Sequence, residues 1–115
     1  MKIEGDGRLL RVFIGESDRC ADGPLYQAIV RKARELGLAG ATVWQGIEGF
    51  GARSRIHTAT ILRLSEDLPI IVEIVDSEEN IRTLLPHLDA LLEAAGGGGL
   101  VTLEKAEVIR YTQGQ

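Results

Sequence analysis

Apolar and polar positions alternate in the first patterned stretch of the chain. Leu10, Val12 and Ile14 fall on one side and Leu9, Arg11 and Phe13 on the other, so Leu9–Gly15 reads as a strand. Asp22-Gly23-Pro24 then announces a helix with proline in its first turn. Leu25, Ala28, Ile29, Ala33 and Leu36 follow at helical spacing and form one apolar stripe, and Gly37 ends it. Ala41–Ile47 is the second strand. Thr58–Leu64 alternates like a strand, and Ser65–Pro69 reads as a turn or bulge. Ile70–Val75 is nearly continuous aliphatic, the pattern of a strand covered on both faces. Whether Thr58–Leu64 and Ile70–Val75 form two strands or one bent strand stays open.

Ser77 suits an N-cap, with Glu78 and Glu79 in the first turn after it. Ile81, Leu84, Leu85, Leu88, Leu91 and Leu92 give the stripe of a second helix, which Pro86 is expected to kink or restart. Gly96–Gly99 stops that helix, and Leu100–Tyr111 supplies the last strand. The order β-α-β, loop, β-α-β predicts an α+β domain on the ferredoxin-like, split βαβ plan: an antiparallel sheet with both helices on one face. The other face is left bare, yet Leu9, Phe13, Val43 and Ile71, or their alternates, are apolar there. A bare apolar face calls for a partner, and a closed symmetric oligomer is the usual solution.

The chain has 115 residues, which fits one domain spanning residues 1–115. Its net charge of −4 and its five aromatic residues disfavour a nucleic-acid binder. Cys20 is the single cysteine, so no intrachain disulfide forms. The polar start carries no signal-peptide pattern and no run is long enough to span a membrane, so a cytoplasmic protein is expected.

The second strand runs into Gly46, Gly49 and Gly51 and then meets Arg53, Arg55 and His57. Bare backbone amides beside two arginines make an anion-binding corner, although a glycine bulge with solvated arginines gives the same pattern. Gly96–Gly99 lacks the Lys-Ser/Thr of a P-loop and follows no strand, so a flexible helix-to-strand linker is the simpler reading. Cys20, His57 and His87 have no metal-ligand spacing, no metal or cofactor is expected, and no nucleophile–base set points to an enzyme. Trp44 reads as a packing anchor at a subunit junction.

Several motifs resemble the PII signalling proteins. These are Gly37-Leu-Ala-Gly-Ala-Thr-Val43, Gly49-Phe-Gly51, His57-Thr58 and Ala106-Glu-Val-Ile-Arg110. Leu10-Arg-Val-Phe-Ile-Gly-Glu16, Gly46-Ile-Glu-Gly-Phe-Gly51 and Asp67-Leu-Pro-Ile-Ile-Val-Glu73 are most similar to the related PII-like family of unknown function, DUF190. The resemblance spans nearly the whole chain. It implies a homotrimer that holds adenine nucleotides in clefts between subunits and modulates a protein target such as a membrane transporter.

By matching position, Thr42 would bond an adenine edge, and Gly49 and Gly51 would admit the ligand at the base of the loop. Gly96, Gly97 and Gly98 would wrap phosphates. Arg53 falls where the family often has glutamine, with Arg55 beside it, and Arg110 would contact phosphate or the neighbouring subunit. Gly99, Ala52 and Thr112 stand where PII proteins usually carry lysine, arginine and arginine. Three charged phosphate contacts are therefore missing, which favours AMP over ATP. The loop from Glu48 to His57 is also shorter than a PII signalling loop. A ligand-independent interaction module is the alternative, and an enzyme acting on a nucleotide is a third reading.

Overall fold

The computed structural model describes residues 5–51 and 67–114. Its elements in chain order are β1 (Gly5–Gly15), β2 (Arg19–Cys20), β3 (Gly23–Pro24), α1 (Leu25–Glu35), β4 (Thr42–Gln45), β5 (Pro69–Asp76), α2 (Glu78–Ala94) and β6 (Leu100–Val108). Four strands form one sheet in the order β4-β5-β1-β6, and every neighbouring pair is antiparallel. The strands joined through each helix, β1 with β4 and β5 with β6, are therefore parallel and one strand apart. The protein is an α+β fold of two helices and an antiparallel sheet.

Register explains which side chains meet. Leu10 pairs with Ile74 and Leu103, and Val12 pairs with Val72 and Val101. These positions share one sheet face. Leu10, Val12, Ile14, Ile70, Val72 and Ile74 are buried there under Leu25, Ile29 and Ala33 of α1 and Ile81, Leu84, Leu88 and Leu92 of α2. The helical stripes expected from spacing are the ones buried, because both helices lie on the same side of the sheet.

Helix ends are chemically explicit. The Ser77 hydroxyl accepts the Asn80 amide at 3.2 Å, capping α2. At the end of α1, the Leu38 amide donates to the Ala33 carbonyl and the Gly37 amide to the Arg34 carbonyl, a complete Schellman turn. Gly37 sits at φ 83°, a conformation in which a Cβ is disfavoured.

Four expectations need correction. Pro86 does not restart α2, which runs unbroken from Glu78 to Ala94. The proline lies on the exposed side, where water can satisfy the carbonyl it frees. Val43 belongs to the helix-covered face, since it pairs with the core residue Val72; its neighbour Trp44 takes the uncovered face. β5 is not enclosed on both sides within one chain, because Val75 is exposed opposite the helices. The last strand ends at Val108, not Tyr111. The two-residue pair β2–β3 had no sequence expectation, since it is set by a tight turn before α1. The proposed strand over residues 58–64 lies outside the described residues.

Candidate functional site

The sheet face opposite the helices, uncovered among the described residues, carries a polar centre inside an apolar frame. Trp44, Ile71, Phe13 and Leu100 form one row across all four strands. Trp44 and Leu100, at the two edges, are 55% and 57% exposed. The row behind it is Thr42, Glu73, Arg11 and Thr102, and beyond that Val75 pairs with Leu9. Arg11 Nε donates to Glu73 Oε2 at 2.8 Å and Arg11 Nη1 to Glu104 Oε2 at 2.9 Å. Trp44 Nε1 donates to Glu73 Oε1 at 3.0 Å. The bond from Arg11 foremost, then that from Trp44, holds the Glu73 carboxyl below its usual range. The hydrogen bond to Glu73 in turn raises the Arg11 guanidinium above its ordinary value.

One end of the sheet gathers the glycine segments. The Gly46 amide donates to the Pro69 carbonyl at 2.7 Å, and Pro69 pairs with Gly15. A Cβ on Gly46 would lie 2.8 Å from Pro69 Cγ, so the glycine is required for this close approach. A Cβ on Gly49 would likewise meet Pro69 Cγ at 3.1 Å. On the other flank of β1, a Cβ on Gly99 would lie 3.5 Å from the Phe13 carbonyl. The two glycine turns thus share an end of the sheet but stand at opposite edges, about 14 Å apart at three strand spacings. Between them the Glu16 amide donates to the Leu68 carbonyl, and the Ser17 amide to Asp67 Oδ1, both at 2.8 Å.

The predicted residues divide accordingly. Gly49 and Gly51 lie at this end, at the β4 edge, and Gly51 has open space around it among the described residues. Gly96, Gly97 and Gly98 lie at the β6 edge. Their first two amides close a Schellman turn, donating to the Glu93 and Leu92 carbonyls at 3.1 and 2.8 Å. Gly96 and Gly97 therefore end α2 in a defined turn. Thr42 is exposed on the uncovered face beside Glu73. Arg110 is exposed past the end of β6, at the opposite end of the sheet from the glycine turns. Arg53, Arg55 and His57 lie outside the described residues.

Sequence reading missed Asp76, the one buried charged residue among those described. Its Oδ2 accepts the Ala39 amide at 2.8 Å, and its Oδ1 accepts the Ser77 amide at 2.7 Å and Asn80 Nδ2 at 3.0 Å. An aspartate directly before the Ser77 cap was the available signal. Two shallow grooves flank the sheet edges on the helix side. One of about 420 Å³ lies against α1 and Val43, and one of about 440 Å³ against α2 and Val101; no predicted site residue lines either.

The family model DUF190 (Uncharacterized ACR, COG1993) matches residues 7–108. The chain belongs to the DUF190 family. A UPF0166 protein of Aquifex aeolicus (strain VF5) is 37% identical over 102 residues, covering 89% of this chain and 92% of its own. A UPF0166 protein of Methanocaldococcus jannaschii is 35% identical over 103 residues, covering 90% and 92%. Among solved structures, CPII of Thiomonas intermedia K12 bound to ADP and bicarbonate is similar at TM-score 0.64 and 17% identity, over 94% of this chain and 91% of that one. A PII-like signaling protein of Thermus thermophilus is similar at TM-score 0.60 and 20% identity, over 91% of each chain. At these identities the likeness is one of fold, and this DUF190 chain shares the PII-like fold.

Proposed function

We propose that this protein is a cytoplasmic PII-like regulator rather than an enzyme. Its ferredoxin-like, split βαβ chains close into a homotrimer through their uncovered sheet faces. It binds a small adenine nucleotide, AMP in preference to ATP, in the clefts between copies. The loop from Glu48 to His57, with Arg53 and Arg55, changes order with the ligand and presents that change to a protein target, a membrane transporter being one class.

The observation that carries this reading is the division of the candidate residues between two ends of one sheet. Gly49, Gly51 and Gly96–Gly98 lie at one end, while Arg110 lies past the other and Thr42 sits toward it on the uncovered face. A single chain therefore offers two half-sites, and two copies supply complementary halves. The apolar row from Trp44 to Leu100 gives those copies a surface to share. The ligand class is supported by CPII, a fold neighbour with structures bound to ADP, AMP and bicarbonate.

Calorimetric titration with AMP, ADP and ATP, paired with sedimentation, tests the reading. The expected result is a trimer that takes up one AMP per chain and binds ATP more weakly. No heat and no thermal shift with millimolar AMP or ADP overturns it, as does a stable monomer.

A further inference from the structure

The backbone of Ala39 is held on both sides of its Cα, through two successive peptide groups. Its N–H donates to Asp76 Oδ2 at 2.8 Å, and its carbonyl accepts the Tyr111 hydroxyl at 3.1 Å. Asp76 is fully buried at the end of β5, and its other oxygen is occupied by the Ser77 amide and the Asn80 side chain. The carboxylate is thus fixed by three donors and by the N-terminal dipole of α2. Tyr111 comes from the far side of the molecule. β6 is the edge strand opposite β4, yet the tail that follows it must cross the end of the sheet to reach the loop before β4.

Sequence position gives this joint a consequence. Arg110 immediately precedes Tyr111, and Thr42 follows Ala39 by three residues. Both candidate contacts of the half-site away from the glycine turns therefore hang on one residue, Ala39, bonded at its N–H and at its carbonyl. We propose that Asp76 and Tyr111 are positioning residues for nucleotide binding: through Ala39 they fix the tail bearing Arg110 relative to the start of β4 bearing Thr42. This rests on the function proposed above. A tyrosine hydroxyl reaching 72 residues back to a backbone carbonyl orders a tail that would otherwise fray. Ordering it in advance spares the ligand that entropy loss on binding.

The test is calorimetric titration of AMP and ADP into the wild type, Tyr111→Phe, Arg110→Ala and the double variant. Tyr111→Phe keeps the ring and removes one hydrogen bond, so affinity should fall about two- to tenfold. In the Arg110→Ala background the same change should cost nothing further, because the hydroxyl acts through Arg110. Tail packing without a positioning role predicts either no loss or an additive one, and either result overturns the inference. Asp76→Asn should weaken binding in the same direction; if that buried substitution prevents folding, Tyr111→Phe still decides. A wild type silent to both nucleotides fails at the proposed function itself and takes this inference with it. A wild type that binds, with a superimposable Tyr111→Phe titration, overturns the inference alone.

Discussion

Arg11 and Glu73 meet at 2.8 Å in the polar centre of the uncovered sheet face. Cross-strand register brings them there, since Arg11 on β1 is the direct partner of Glu73 on β5. Trp44, one strand further out, fills the second oxygen of the same carboxylate. Both oxygens of Glu73 are bonded within one chain, so another copy can cover this face without supplying a partner for Glu73.

That geometry sets a pH dependence. Glu73 is held below the usual carboxylate range in the folded chain, first by the Arg11 bond and then by the Trp44 bond. A depressed folded value stabilises the fold at pH above the unfolded value of about 4.3. The contribution disappears as pH falls through the lower folded value. Urea denaturation from pH 7 to pH 3 should show stability falling below about pH 4.5, with a shallower fall in Glu73→Gln. Trp44 is the only tryptophan, so its emission should change over the same interval in the wild type and not in the variant.

Leu84 is fully buried where α2 meets the sheet. Leu84→Ala should destabilise by about 2–5 kcal/mol, the lost transfer energy plus the cavity left behind. The urea midpoint reports it. An effect below about 1 kcal/mol would mean that α2 does not pack as described.

Gly37 sits at φ 83° with open space around it among the described residues. Gly37→Ala should cost about 1 kcal/mol, entirely from backbone strain, and Gly37→Asn less. Thermal unfolding separates the two. Equal midpoints for both variants would contradict the left-handed turn at the end of α1.

Leu100 and Trp44 stand at opposite edges of the uncovered face and are both more than half exposed. Leu100→Glu puts a charge into a surface that copies of the chain are proposed to share. Sedimentation should show the mass falling from trimer to monomer at micromolar concentration, with helical circular dichroism unchanged. A trimer that survives both Leu100→Glu and Trp44→Glu would place the contact on another surface.

Ser77→Ala removes the acceptor of the Asn80 amide and should cost about 1 kcal/mol in urea denaturation. The loss should stay below that of Asp76→Ala, which leaves the Ala39 amide, the Ser77 amide and the Asn80 side chain without their acceptor, where Ser77→Ala leaves one amide.

Much of this fold is local chemistry and was legible as such. Alternation at Leu10, Val12 and Ile14 fixed which side of β1 is buried, because successive strand residues must point to opposite faces. The stripe Ile81, Leu84, Leu88 and Leu92 fixed the inner face of α2 in the same way. Ser77 and Gly37 marked helix ends through their own hydrogen-bonding and φ preferences. Pro86 leaves α2 unbroken, because its cost depends on which side of the helix it occupies.

The candidate site was legible only in pieces. Glycine composition marked Gly46–Gly51 and Gly96–Gly99, but nothing in either run says that they flank the same end of β1. The bonds from Arg11 to Glu73 and from Tyr111 to Ala39 join residues 62 and 72 positions apart. Local propensity decides what each segment becomes, because it acts through neighbours along the chain. Strand register and the crossing of the tail decide which segments meet, because those contacts exist only once the sheet has closed.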